Sequence, residues 1–396
     1  MEKISRRGFI QKSVFATAGT MLVPQFLKAW ERPFLEEGKI LIVLQLSGGN
    51  DGLNTIIPFR NDVYYQSRPK IGIKPEKIIK ISDELGFNSA LERLQGIYDQ
   101  GYMTIINNVG YPNPERSHFR SMDIWQSASP KEYLTTGWIG RYLDSNCDGA
   151  EHNAVEIDDT LSLALKGNEI KSLALKDPAK LYKATHSAIF KTIAKNQPAA
   201  DADPMVSYLY KTAAETVSSA EYIYNQTKIY SSTTQYPNTD FGGRLKTIGT
   251  LINSGVNTRV YYAALSGFDT HVNQTGQQER LLTTYAEAVA ALIQDLEKSG
   301  NLERTMILTF SEFGRRVSEN ASGGTDHGTA NNVFVFGKNL KKAGFFNNTP
   351  DLKNLDEGDL IYQIDFRSIY ATMLNKWMGA DSSRILNENF PLLDFV

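Results

Sequence analysis

Cysteine is almost missing from this chain: Cys147 is the only one in 396 residues. A single thiol excludes an internal disulfide framework, and with no CxxC pair around it Cys147 supplies no zinc knuckle. It reads as a small buried hydrophobe. Excess basic charge is missing too. The formal net charge is −2 and the sequence pI about 6.3, so the chain lacks the concentrated basic face of a nucleic-acid binder, and nucleic acid is not expected as a partner. A long hydrophobic run near the N-terminus is also lacking. The weakly apolar stretch from Val14 to Val23 has ten residues, against the roughly 20 that a membrane-spanning helix needs, so no transmembrane helix is expected in the mature chain. What remains is a composition 41% apolar. That is enough to bury one large core or two smaller ones, and it excludes disordered and collagen-like chains.

The first residues read "MEKISRRGFIQKSVFATAGTMLVPQFLKA". Paired arginines, Arg6 and Arg7, precede the apolar stretch in the order of a signal's charged and hydrophobic regions. "SRRGFI" resembles the twin-arginine export signal, with Ile10 where leucine is usual. The resemblance implies a signal over residues 1–30, the twin-arginine translocation machinery as a partner, and a periplasmic or other extracytoplasmic location. The bland alternative is the basic amphipathic start of a cytoplasmic protein. Removing residues 1–30 takes the formal charge from −2 to −6.

Beyond that segment, short β-rich runs alternate with helical patterns. "KILIVLQL" (39–46), "MTIINNV" (103–109), "RVYYAAL" (259–265), "RTMILTF" (304–310) and "NVFVFG" (332–337) are of the kind that form a buried sheet. Between them, Ser89 and Glu92 have capping-box spacing, and residues 277–299 place Leu281, Leu282, Tyr285, Val289, Leu292 and Leu296 along one helical face. The alternation predicts an α/β fold, a three-layer α/β/α sandwich with a mainly parallel sheet, over residues 39–396. From about 145 to 245 the pattern turns to long polar helices, which predicts a helical insertion.

In such sheets ligands bind beyond the carboxyl ends of the strands. There the sequence places Asp51 in "SGGNDGLNT", Ser117 and His118 in "NPERSHFRS", Asp269 and His271 in "SGFDTH", Glu312 and Arg315 in "SEFGRR", and Asp326 with His327 in "GGTDHG". Three of the five histidines fall in these loops. Carboxylates and imidazoles suit Zn, Mn or Fe, and a paired-ion site stabilises both the attacking and the leaving oxygen of a displacement. Each residue has a plainer reading alone: Asp51 as a turn aspartate, Asp269 as a helix cap, His118 as a satisfied loop histidine.

"LQLSGGNDGLNTIIPF", "NPERSHFRSMDIWQSA", "TGWIGRYL", "SGFDTH", "FSEFGRRVSEN", "GGTDHGTANNVFVFG" and "DFRSIYATML" together resemble the domain-of-unknown-function 1501 family over most of residues 39–380. That family is similar in turn to the alkaline phosphatase superfamily. The resemblance implies an alkaline phosphatase-like fold and a divalent metal, Zn or Mn, as one or two ions. It implies Asp51, Asp326 and His327 as ligands of a first ion and Asp269 and His271 as ligands of a second. It also implies Ser117 as the nucleophile at a helix N-terminus, with His118, Arg120 and Arg315 contacting a small anionic ester substrate.

The chain departs from the superfamily pattern in two places. Its second pair is spaced Asp-x-His rather than Asp-x-x-x-His, and no histidine follows His327. Sulfatase chemistry is disfavoured, because Cys147 lies in "SNCDGAE" and not in a C/S-x-P-x-R motif. Two functions follow as expectations: an exported metal-dependent hydrolase of phosphate or related esters, or a catalytically inactive cell-envelope binding or assembly protein with a structural metal site.

Overall fold

Strand β1 (Ile40–Ser47) is apolar on both faces and buried along almost all its length. Ile40, Ile42, Leu44 and Leu46 enter one hydrophobic core, while Leu41 and Val43 enter a second. The period-2 geometry of a strand sends alternate side chains to opposite faces, so such a run must be covered by helices on both sides. It is. Helices α1 (Glu92–Asp99), α7 (Asp240–Asn253) and α8 (Gln274–Lys298) supply the first core with Leu94, Leu245, Ile248, Leu282 and Leu292. Helices α2 (His118–Ser127), α3 (Trp138–Asn146) and α9 (Phe366–Thr372) supply the second with Ile124, Trp125, Trp138, Ile139, Phe366 and Ile369. The fold is the expected α/β/α sandwich.

The computed structural model describes residues 38–147, 150–169, 172–195 and 204–396. The signal expected at residues 1–30 lies outside the described residues. Lys39–Val396 forms one unit. Its nine-stranded sheet adds to β1 the strands β2 (Met103–Gly110), β3 (Ala154–Glu156), β4 (Ser172–Ala174), β5 (Val260–Ser266), β6 (Thr305–Phe310), β7 (Asn331–Phe336), β8 (Gly344–Phe345) and β9 (Ile364–Asp365). The order is β8-β2-β7-β6-β1-β5-β3-β4, with β9 also on β2. β1 runs parallel to β5 and β6, and β5 to β3. Only β7 is reversed, antiparallel to both β2 and β6. That reversal matters, because the "GGTDHG" loop precedes β7 and is thereby brought to the edge where β1, β2, β5 and β6 end.

Two local expectations are adjusted. Asn88, not Ser89, caps the turn before α1: its side chain accepts from Ala90 N, and α1 begins only at Glu92. Residues 145–245 contain α4 (Pro178–Thr185), α5 (Ala188–Lys195) and α6 (Pro204–Thr227), but they also contribute β3 and β4 to the sheet edge. Three-residue strands are too short to register as a periodic pattern.

Candidate metal centre

At the carboxyl edge of the sheet the chain leaves β1 through Ser47-Gly48-Gly49. Gly48 has φ +120°, and a Cβ there would sit 2.4 Å from the backbone N of Asp269. Only glycine permits so close an approach, and it lets the loop after β1 pack on the loop after β5. Gly324 has the same role on the other side, where a Cβ would meet the carbonyl carbon of His271 at 2.3 Å. These contacts press the Asp269, His271 and Asp326–His327 segments into one place.

The centre of that place is Asp269 Oδ1. His271 Nε2 lies 3.0 Å from it, His327 Nε2 3.1 Å and His118 Nε2 3.4 Å. His271 Nε2 and His327 Nε2 are themselves 2.9 Å apart. Each ring is fixed from behind through its other nitrogen. His118 Nδ1 is 3.1 Å from Glu312 Oε1, His327 Nδ1 2.8 Å from the Arg116 carbonyl oxygen, and His271 Nδ1 3.3 Å from Asp326 Oδ1. Carbonyls and ionised carboxylates only accept, so each Nδ1 carries the proton and each Nε2 turns a lone pair inward. The Phe313 ring packs against both His118 and His327, at 4.8 and 4.6 Å between centroids.

Lone pairs and a carboxylate oxygen gathered at these distances repel one another unless a proton or a metal cation stands among them. His118, Asp269 and His327 each offer a ligand atom, all within 4.8 Å of one another. A tetrahedral ion with bonds of 2.0–2.1 Å has ligand–ligand edges of about 3.3 Å, close to the 3.1 and 3.4 Å from Asp269 to the two rings. A carboxylate or carbonyl accepting from the far nitrogen of each ring is the usual support of metal-bound histidine. The residues present therefore fit a divalent ion, with His271 and Asp326 beside the three.

The local electrostatics follow from the same contacts. Partial burial works to raise the Asp269 carboxyl, but the hydrogen bond and the charge of Arg315, with the contact to His327, hold it far below the usual range. The bond to Glu312 raises the His118 imidazole against its own burial. Burial lowers that of His327. Asp326 is lowered chiefly by the Asn320 amide.

Other expected site residues have different surroundings from those expected. Asp51 makes no hydrogen bond or ion pair to the cluster. Its Oδ2 is 2.6 Å from Arg68 Nη1 and 2.5 Å from Gln274 Nε2, while Oδ1 accepts from the backbone N–H groups of Leu53 and Asn54. It is the buried turn aspartate of the plainer reading, with its charge already met by arginine. Arg315 was expected to touch substrate, yet its side chain is fully buried and every donor group is committed. Nε donates to Gly49 O, Nη1 to Thr325 O, and Nη2 to Gly48 O, Phe268 O and Asp269 Oδ1. Arg315 ties the loops together and orients Asp269. Arg120 is turned to its own loop, stacked on Tyr133 with Nη2 on the carbonyls of Ser129, Pro130 and Glu132, while its buried Nη1 has no hydrogen-bond partner among the described residues.

Ser117 is the N-cap residue of α2, with extended backbone, and its side chain makes no cap hydrogen bond. It is exposed, between the residue whose carbonyl holds His327 and the ring of His118. The sequence named Glu312 as a strand-end residue without a role. The structure gives it one: fully buried, it accepts from Gly48 N at 2.8 Å and fixes His118.

The sequence model of a family described as protein of unknown function (DUF1501) matches residues 102–390. No curated protein matches the chain. Among solved structures it is similar to the PsFucS1 sulfatase from Pseudoalteromonas sp., at 13% identity and TM-score 0.41 over 93% of this chain and 73% of that one. It is also similar to the C-terminal periplasmic domain of EcEptC from Escherichia coli in complex with Zn, at 11% identity and TM-score 0.38 over 76% and 74%. A third is the phosphonate monoester hydrolase SpPMH from Silicibacter pomeroyi, at 10% identity and TM-score 0.34 over 90% and 78%.

Proposed function

We propose that the chain, which belongs to the DUF1501 family by the match over residues 102–390, is an exported metal-dependent hydrolase of phosphate or related esters. The observation that carries this reading is the convergence of three imidazole Nε2 atoms on Asp269 Oδ1, each ring held at Nδ1 by an acceptor. His118, Asp269 and His327 would hold a divalent ion, Zn or Mn, which supplies Lewis-acid polarisation of an ester oxygen.

The chain's own groups do the rest. The Ser117 hydroxyl, exposed and at the start of α2, attacks the ester phosphorus, its proton passing to solvent as the bond to the leaving alcohol breaks. Water then hydrolyses the seryl ester and restores the serine. The N–H groups of the first helical turn point toward the attacked centre and stabilise the negative charge that builds on its oxygens. Glu312 keeps the proton of His118 on Nδ1, and Arg315 keeps Asp269 ionised and aimed.

One observation favours a second reading. Asp51, the carboxylate the superfamily likeness would assign to a metal, is instead neutralised by Arg68. A metal set reduced in this way suits an inactive envelope-binding protein whose ion is structural. Metal analysis followed by a phosphomonoester and phosphodiester panel separates the two: bound ion with turnover supports the hydrolase, and bound ion with none supports the binding protein. Export is read from "SRRGFI", and secretion of a precursor carrying Arg6→Lys and Arg7→Lys would remove the twin-arginine route.

A further inference from the structure

Beyond Arg315 and Arg120, two arginines have backbone atoms bonded to residues of the centre. Arg116 precedes Ser117, and its carbonyl holds His327. Arg316 follows Arg315, and its backbone N donates to Asp326 O at 3.1 Å. Both side chains meet at Asp359, on the second strand of the small hairpin Leu355–Asp356 and Asp359–Leu360. Arg116 Nη2 is paired with Asp359 Oδ2, and Arg316 Nε lies 3.6 Å from Oδ1. The Asp359 side chain is 1% exposed, whereas those of Arg116 and Arg316 are 38% and 37% exposed.

This arrangement exceeds what pinning a hairpin requires. One buried carboxylate neutralises one guanidinium, so the trio keeps a positive charge facing solvent. Nη1 of Arg116 and both terminal nitrogens of Arg316 have no hydrogen-bond partner among the described residues. Among the described residues none of Glu115, Asp326 and Asp356 forms an ion pair with either guanidinium. Glu115 Oε1 accepts from the backbone N–H groups of Arg116 and Ser117, and Asp326 Oδ1 is engaged by Asn320 and His271. Two partly exposed guanidiniums sharing one buried carboxylate offer the planar, multiple N–H donors that a tetrahedral oxyanion accepts from.

We infer that Arg116 and Arg316, aimed by Asp359, form an oxyanion subsite at the rim of the His118–Asp269–His327 centre and hold a phosphate-like group of the substrate. The subsite rests on the ester-hydrolase reading for the identity of its ligand, but its binding of an oxyanion is measurable without turnover. Asp359 is a positioning residue, acting through the two arginines.

Inorganic phosphate titrated calorimetrically into the wild-type protein is expected to bind saturably. Either Arg116→Gln or Arg316→Gln should weaken that binding by about tenfold or more, with metal content unchanged, and the corresponding lysine variants should recover part of it. Phenylglyoxal labelling of the wild-type protein, read residue by residue by mass spectrometry, removes any dependence on how the variants fold. Both arginines should be labelled, and phosphate should protect them. Absence of phosphate binding, undiminished binding in the glutamine variants, or failure of phosphate to protect either arginine overturns the subsite. Metal analysis of the same samples keeps the two claims apart. An ion bound in a protein whose arginines ignore phosphate ends the subsite alone, and phosphate held by both arginines in a protein that binds no ion ends the metal-centre reading alone.

Discussion

Glu312 Oε1 lies 3.1 Å from His118 Nδ1 and 2.8 Å from the backbone N of Gly48, with the glutamate wholly buried. One carboxylate thus sets both the tautomer of a candidate ligand and the position of the loop on which Asp269 packs. Glu312→Gln keeps the shape but presents an amide whose donor end competes for Nδ1. It should lower divalent-metal affinity about 10- to 100-fold, the usual cost of losing such support. Competition with a chelator of known affinity measures it, and unchanged affinity would mean that Glu312 serves only the loop.

Ser117→Ala should abolish any ester hydrolysis while leaving metal content intact. Because the Ser117 side chain makes no cap hydrogen bond, its removal should cost less than the roughly 1 kcal/mol of a working N-cap and stay within about 0.5 kcal/mol. Urea unfolding and turnover on the same preparation check both parts. Full activity would shift the nucleophile away from Ser117.

Arg68→Met tests the placement of Asp51. It leaves a buried carboxylate without its 2.6 Å partner, which should destabilise the fold by about 3–5 kcal/mol. The ion held by His118, Asp269 and His327 should remain in the fraction that stays folded. Loss of the metal with no loss of stability would place Asp51 among the ligands after all.

The legible part of this molecule was whatever a period or a loop position could carry. The continuous apolar run of β1, the long face of α8 and the strand-end location of Asp269, His271, Asp326 and His327 all follow from local pattern. Asp51 and Arg315 carried the same strand-end signal, but what decided them was a partner far along the chain: Arg68 for Asp51, and Gly48 and Gly49 for Arg315. Sequence spacing holds no record of which long side chain folds back onto which carbonyl. His118 was expected to touch substrate and instead stands among the candidate ligands, because β2 and β5 end at one edge and only the tertiary structure sets their separation. The hairpin bearing Asp359 has two-residue strands, too short for any periodic signature, so the Arg116–Asp359–Arg316 trio was invisible.

Glu156 gives a pH dependence whose sign is fixed. It is almost wholly buried at the end of β3, and burial pushes its carboxyl up to about 7, with the Ser162 N–H working the other way. The native state therefore holds this proton between about pH 4.5 and 7, while the unfolded chain has released it. Stability should fall as pH rises through that window, by on the order of 2–3 kcal/mol from this group alone. Glu156→Gln should flatten the loss. Urea midpoints of both proteins at pH 5.5 and pH 8 give the comparison, and an equal fall in both would assign the dependence to other groups.

The most direct test of the metal centre is elemental analysis of the wild-type protein beside His118→Ala, Asp269→Ala and His327→Ala, each dialysed and reloaded with Zn or Mn. About one tightly held ion per wild-type chain is expected. Each variant should lose it, together with the roughly 3–4 kcal/mol of stabilisation that a ligand at 100 to 1,000 times its dissociation constant confers on the native state. A wild-type protein that retains no ion after reloading, or variants that retain as much as the wild type, would contradict the metal centre.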